Sequence, residues 1–296
     1  MTATFPRRCL PTDAMEAKRI LTVQDISCVG QCSLTVALPI LSVCGHETCV
    51  LPSALLSTHT AFRHFTSLDL TDEMPRIRAA WEQEGIRFDA IYSGYLGSAR
   101  QVEQVREIIK TSLADGAVRI VDPAMADFGR LYPAFDAAFV DEMRSLCRTA
   151  DILLPNITEA CLLAGVPYRE TYDRAWIADL TARLTDAVGD RTVVLTGVGY
   201  RPDKTGVLVV RDGGTDYYEH ARVGKNCHGT GDVYASAFTG AMMGGKSVTD
   251  AARLAADFTV ACIRNTVDDP AHWYGVKFEG MLPELYRLLR EERTNP

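Results

Sequence analysis

Gly229-Thr230-Gly231-Asp232-Val233-Tyr234-Ala235-Ser236-Ala237-Phe238-Thr239-Gly240-Ala241-Met242-Met243-Gly244-Gly245-Lys246-Ser247 offers two places for a phosphate, and the choice between them decides the fold. The second half, from Gly240 to Ser247, satisfies the pattern of glycine, four residues, then Gly-Lys-Ser, in which backbone N–H groups wrap phosphates. A loop of that kind follows a buried strand and opens a helix. Here the preceding residues are apolar, small and free of proline, which is the body of a packed helix. Gly244-Gly245 suits the stop of that helix, and Ser247-x-x-Asp250 suits a cap on the next. The first half therefore carries the chemistry. Gly229-Thr230-Gly231 is a turn that delivers the Asp232 carboxylate to the mouth of a helix. The first N–H groups of a helix have no intrahelical partner, and the dipole adds positive charge there, so this end suits a transferring phosphoryl group. Glycines at 229 and 231 let a ligand approach the backbone without a Cβ in the way. An Asp beside such an anion hole can accept a proton from a hydroxyl while the N–H groups steady the charge. The plainer alternative is an Asp that caps a helix after a loop.

Outward from this stretch, short β-branched runs alternate with longer amphipathic ones. Arg19–Val23, Thr48–Leu51, Ala90–Ser93, Val118–Asp122, Ile152–Leu154 and Thr192–Thr196 read as buried strands. Ser33–Val43, Ala99–Ala114, Ala137–Arg148 and Ala175–Val188 carry helical spacing. Strand followed by helix, repeated, predicts an α/β fold with a mostly parallel sheet covered on both faces. Gly206–Val210 and Asp216–Ala221, split by Asp212-Gly213-Gly214, predict an antiparallel hairpin near the sheet edge. A dinucleotide-binding fingerprint is a poorer match, because Gly197-Val198-Gly199 lacks the third glycine.

Composition excludes more than it selects. A chain of 296 residues that is 47% hydrophobic can bury a large core, and a net charge of −7 without a basic run argues against a nucleic-acid surface. No segment approaches the ~18 uninterrupted apolar residues of a membrane helix, and charged residues among the first 20 argue against a signal peptide. The expectation is a cytoplasmic protein without nucleic-acid or membrane partners. Nine cysteines, at 9, 28, 32, 44, 49, 147, 161, 227 and 262, include no Cys-x-x-Cys pair, which fits reduced thiols better than a zinc knuckle or disulfide frame.

In open parallel sheets ligands collect at the carboxyl ends of the strands. Those ends carry Gln24-Asp25, Ser93-Gly94-Tyr95, Asp122-Pro123, Asn156-Ile157-Thr158-Glu159 and Thr196-Gly197. Together with Gly229-Thr230-Gly231-Asp232 and its small-residue helix, Asp122-Pro123 and Asn156-x-x-Glu159 resemble the ribokinase superfamily. Within it, Ser57-Thr58-His59-Thr60 and Gly94-Tyr95-Leu96-Gly97 resemble the pyridoxal kinase branch, whose members phosphorylate the 5′-hydroxymethyl group of vitamin B6 with MgATP. The resemblance runs from about Ile20 to the last helix.

The resemblance implies one ribokinase-like three-layer domain over residues 18–296, behind a flexible leader at 1–17. It makes Asp232 the general base and Gly229, Thr230 and Gly231 the anion hole. Asp122 and Glu159 would hold Mg2+ through water, and Asn156, Thr196 and Gly197 would touch ATP. Asp25, Ser27, His59, Thr60 and Tyr95 would face the substrate. A monovalent cation such as K+ and a homodimer are further implications. Hydroxymethylpyrimidine kinases, and the B6 kinases that resemble them, usually carry Cys where this chain has Asp232, and Cys227 lies outside that position. The same-class alternative is a kinase for hydroxymethylpyrimidine or another small hydroxylated ring. A non-catalytic nucleotide-binding regulator is the different-class alternative, and such a module has no need of a base beside the anion hole.

Overall fold

The computed structural model describes residues 16–224 and 227–291. The leader expected at 1–17 therefore falls, for residues 1–15, outside the described residues. The strands are β1 (Arg19–Ser27), β2 (Glu47–Leu56), β3 (Ser67–Asp69), β4 (Phe88–Ser93), β5 (Leu113–Val121), β6 (Ala126–Asp127), β7 (Arg130–Leu131), β8 (Ile152–Leu153), β9 (Thr192–Val198), β10 (Lys204–Arg211) and β11 (Gly214–Ala221). The helices are α1 (Leu34–Val43), α2 (Met74–Gln83), α3 (Ala99–Thr111), α4 (Ala137–Cys147), α5 (Ile157–Ala164), α6 (Arg174–Val188), α7 (Thr230–Met243), α8 (Val248–Val267) and α9 (Leu282–Arg290).

One sheet runs β11-β10-β9-β8-β5-β4-β1-β2-β3. From β9 through β2 every pairing is parallel, and β10, β11 and β3 are antiparallel additions at the two edges. Parallel strands are covered on both faces, and β1 is buried along nearly its whole length, its polar Thr22, Gln24, Asp25 and Ser27 included. Its Leu21 and Val23 pack with α3, α4 and α6 through Val102, Met143 and Leu180. Its Ile20 packs on the opposite face with Ile40, Phe238, Phe258 and Leu285 of α1, α7, α8 and α9. These are the three layers expected from the alternation of strand and helix.

The structure corrects several limits. The helix expected to reach Ala114 stops at Thr111, because Leu113 already pairs with Phe88 in the β4–β5 ladder. β5 ends at Val121, which leaves Asp122 just past the strand. Gly244 closes α7, and Ser247 caps α8 by accepting from the Asp250 N–H at 3.1 Å. Lys246 donates to the Glu291 carbonyl at 2.9 Å, so the Gly240–Ser247 match lies at a helix–helix junction. The reversal of strand order falls between β1 and β4, and the crevice above it is where an open α/β sheet binds its ligand. Among the described residues, no helix is long and apolar enough to cross a membrane.

Candidate active site

Gly229 stands at φ 78° and ψ 3°, the left-handed region, immediately before α7. A Cβ there would lie 1.8 Å from the Gln31 carbonyl oxygen, so only glycine lets the turn close on the loop after β1. The Val233 N–H donates to the Gly229 carbonyl at 2.9 Å, and the Thr230 hydroxyl donates to the Cys227 carbonyl at 3.2 Å. Gly231 is exposed, with nothing within 4 Å of a notional Cβ. The first-turn N–H groups of a 14-residue helix therefore border open space.

Asp232 follows, half-buried, with the Ser33 backbone N–H near it. Burial pushes its carboxyl up to about 7; the Ser33 N–H opposes this, and the neighbouring charge of Asp25 adds to it. Asp25, near the end of β1, is buried and accepts from the Ser33 hydroxyl at 2.6 Å and the Ser27 hydroxyl at 3.2 Å. Burial raises its pKa, and these two hydroxyls pull it back. The Tyr95 phenol is pushed up by burial and then by the charge of Asp25, and its ring lies 5.5 Å from that of Phe135. His59 bonds the Tyr274 carbonyl through Nε2 at 2.6 Å, its ring centroid is 5.0 Å from that of His228, and its field reaches Asp25. Asp25, Ser27, His59, Tyr95 and Asp232 thus share one neighbourhood, whereas Thr60 is exposed on the turn beyond His59.

Asp122 and Glu159 occupy the next pair of strand ends. The Glu159 carboxylate accepts from the backbone N–H groups of Asn156 at 2.8 Å and Met125 at 3.2 Å, and the Asn156 amide oxygen accepts from the Glu159 N–H at 2.9 Å, a capping box on α5. Both carboxyls are raised by burial, Asp122 further by Asp232 and Glu159 further by Asp122. Two buried carboxylates that repel each other are relieved by a cation, so the pair fits Mg2+. Among the described residues no third His, Cys, Asp or Glu joins them, which suits an ion that keeps much of its water.

The Asn156 amide nitrogen donates to the Ala126 carbonyl at 2.8 Å, tying α5 to the β6–β7 hairpin and leaving one amide hydrogen for a phosphate. Thr196 pairs with Asn156 across β9 and donates through its hydroxyl to the Pro155 carbonyl at 3.3 Å. Gly197, at φ 75°, is exposed with clear space where a side chain would be. The sequence reading missed Ser33, taken there as the first residue of a helix, and Tyr132, whose hydroxyl is raised by burial and by Glu159, Asp127, Asp122 and Asp232 together. Tyr132 follows a hairpin of two-residue strands, too short to show any periodicity.

A model of the phosphomethylpyrimidine kinase family matches residues 57–275, a span that includes Tyr95, Asp122, Glu159 and the Gly229–Asp232 turn. The chain belongs to that family. A solved Bacteroides thetaiotaomicron structure, described as a phosphomethylpyrimidine kinase, superposes with a TM-score of 0.86 at 36% identity, covering 96% of this chain and 98% of that chain. An orthorhombic form of that protein was solved with pyridoxal. Pyridoxal kinase from Lactobacillus plantarum gives a TM-score of 0.84 at 31% identity, covering 92% of this chain and 98% of its own. The pyridoxine/pyridoxal/pyridoxamine kinase of Bordetella pertussis is 28% identical over 260 residues, 83% of this chain and 89% of that protein. This member of the phosphomethylpyrimidine kinase family is a kinase, and its likenesses fall in the pyridoxal kinase branch of the ribokinase-like superfamily.

Proposed function

We propose that the chain transfers the γ-phosphoryl group of ATP to the 5′-hydroxymethyl group of pyridoxal, pyridoxamine or pyridoxine. The observation that carries this reading is a carboxylate pushed up to about 7, Asp232, at the open N-terminus of α7 and within the field of a second, buried carboxylate, Asp25. Asp232 takes the hydroxymethyl proton as that oxygen attacks phosphorus, and ADP leaves as the P–O bond to it breaks. The N–H groups of Gly229, Thr230 and Gly231 steady the charge on the transferred group. Asp122 and Glu159 would hold Mg2+ by way of water, where it supplies charge neutralisation on the phosphates. Thr196, Gly197 and the remaining Asn156 hydrogen serve the nucleotide. Tyr95 forms a wall of the ring pocket, and Asp25, Ser27 and His59 supply its polar rim. One rival substrate of the same class is hydroxymethylpyrimidine, named in the description of a Bacillus subtilis relative 27% identical over 201 residues.

Tyr95 separates ring recognition from fold support. Tyr95→Ala is expected to weaken pyridoxal by about 1–2 kcal/mol, the scale of a lost aromatic contact plus some burial, with ATP affinity unchanged. Tyr95→Phe should retain most of the packing. Calorimetric titration of both ligands into each variant checks this, and equal losses for ATP and pyridoxal would make Tyr95 a support of the fold.

The reading extends to a cytoplasmic homodimer. Leu55 and Leu68 oppose one another across β2 and β3, at 40% and 58% exposure on the outer edge of the sheet, and Phe65 lies beside them in sequence at 45%. A second copy would cover an apolar edge of this kind.

A further inference from the structure

Ser33 occupies the position before α1 where a serine ordinarily accepts from the N–H groups of the first turn, yet its side chain makes no such cap. It stands at φ 53°, one of three non-glycine residues with positive φ among those described. Holding an L residue there costs free energy that glycine would not incur, so something glycine lacks must be gained. What it gains is visible: the buried hydroxyl donates to Asp25 Oδ1 at 2.6 Å, while the Gly229 turn that leads to Asp232 closes on Gln31 and Cys32, the residues directly before Ser33. Ser33 thus holds Asp25 beside the segment that carries Asp232, two carboxylates 207 positions apart in sequence. Its own carbonyl is fixed by the N–H groups of Val36 and Ala37 at 3.0 and 2.9 Å, so the link is anchored to α1.

We propose that Ser33 is a positioning residue that couples the substrate-holding carboxylate of Asp25 to the base Asp232, so that a vitamer seated on Asp25 fixes where the base stands. This deepens, and rests on, the roles given above to Asp25 and Asp232. Ser33→Gly removes the hydroxyl, keeps the N–H and suits the positive φ, whereas Ser33→Ala removes the hydroxyl and keeps the strained backbone. Both are expected to raise the KM for pyridoxal and lower kcat, together about tenfold or more in kcat/KM, the scale of a lost hydrogen bond to a charged group, with the KM for ATP unchanged. Asp25→Ala combined with Ser33→Gly should be no worse than Asp25→Ala alone, since the two residues act as one unit. Thermal unfolding of every variant checks that the fold persists. Wild-type kinetics in Ser33→Gly, a loss confined to Ser33→Ala, or losses that multiply in the double variant would each overturn the coupling. If Asp25→Ala and Asp232→Asn themselves leave pyridoxal phosphorylation intact, the underlying reading fails as well. Full loss in those two with a normal Ser33→Gly sinks the link alone.

Discussion

Asp232→Asn is expected to lower kcat by about 10²–10⁴-fold while ATP binding stays within a few-fold, because the amide keeps the shape but cannot take a proton. The pH dependence gives the same residue a second signature. With the carboxyl pushed up to about 7, it is protonated and idle as a base on the acid side. The kcat/KM for the vitamer in wild type should therefore rise as pH climbs through about 7 and level off above it. That rising limb should vanish in Asp232→Asn. Steady-state kinetics from pH 5.5 to 8.5, a window of about three units centred on the neutral range where such a base titrates, checks both. Near-normal turnover in the variant would reduce Asp232 to a helix cap.

Gly229→Ala should be nearly as damaging. The new Cβ would start 1.8 Å from the Gln31 carbonyl oxygen, and the left-handed φ of 78° is strained for alanine. The backbone conformation alone costs roughly 1–3 kcal/mol, and relieving the clash moves either the mouth of α7 or the loop that leads into Ser33. Misplacing catalytic groups by about 1 Å can cost about 10²-fold. The expected result is a kcat at least about 10²-fold down in a protein that still folds, with melting monitored alongside kinetics. A variant that keeps more than about a tenth of wild-type kcat would show that the close approach of Gly229 to Gln31 does not position the anion hole.

Fold and site were not equally legible in the sequence. The layers could be read because each strand and helix announces itself locally: Asp136 caps α4 by accepting from the Phe139 N–H at 3.0 Å, and apolar residues then recur at helical spacing. The Asn156-x-x-Glu159 motif helped carry the resemblance that implied a metal role, and its capping box shows that the Glu159 carboxylate builds the helix it begins. β3 has only three residues and is held by pairing with β2, so nothing in Ser67–Asp69 marks it. The Gly229–Asp232 turn was legible because glycine, carboxylate and helix are neighbours in the chain. The Ser33–Asp25 bond was not, because it exists only where β1 and the start of α1 meet, and a serine at a helix start otherwise reads as part of that start. Tyr132 was hidden for the same reason, since the carboxylates whose charge raises its hydroxyl come from residues 122–127, 159 and 232.

The central claim is that the acceptor is a B6 vitamer, and a competition in one tube tests it most directly. Wild-type protein with MgATP and equal concentrations of pyridoxal and hydroxymethylpyrimidine is sampled under initial-rate conditions, and both phosphorylated products are quantified by mass spectrometry. Pyridoxal 5′-phosphate as the predominant product is the predicted result; hydroxymethylpyrimidine phosphate alone, with pyridoxal untouched, would contradict the account.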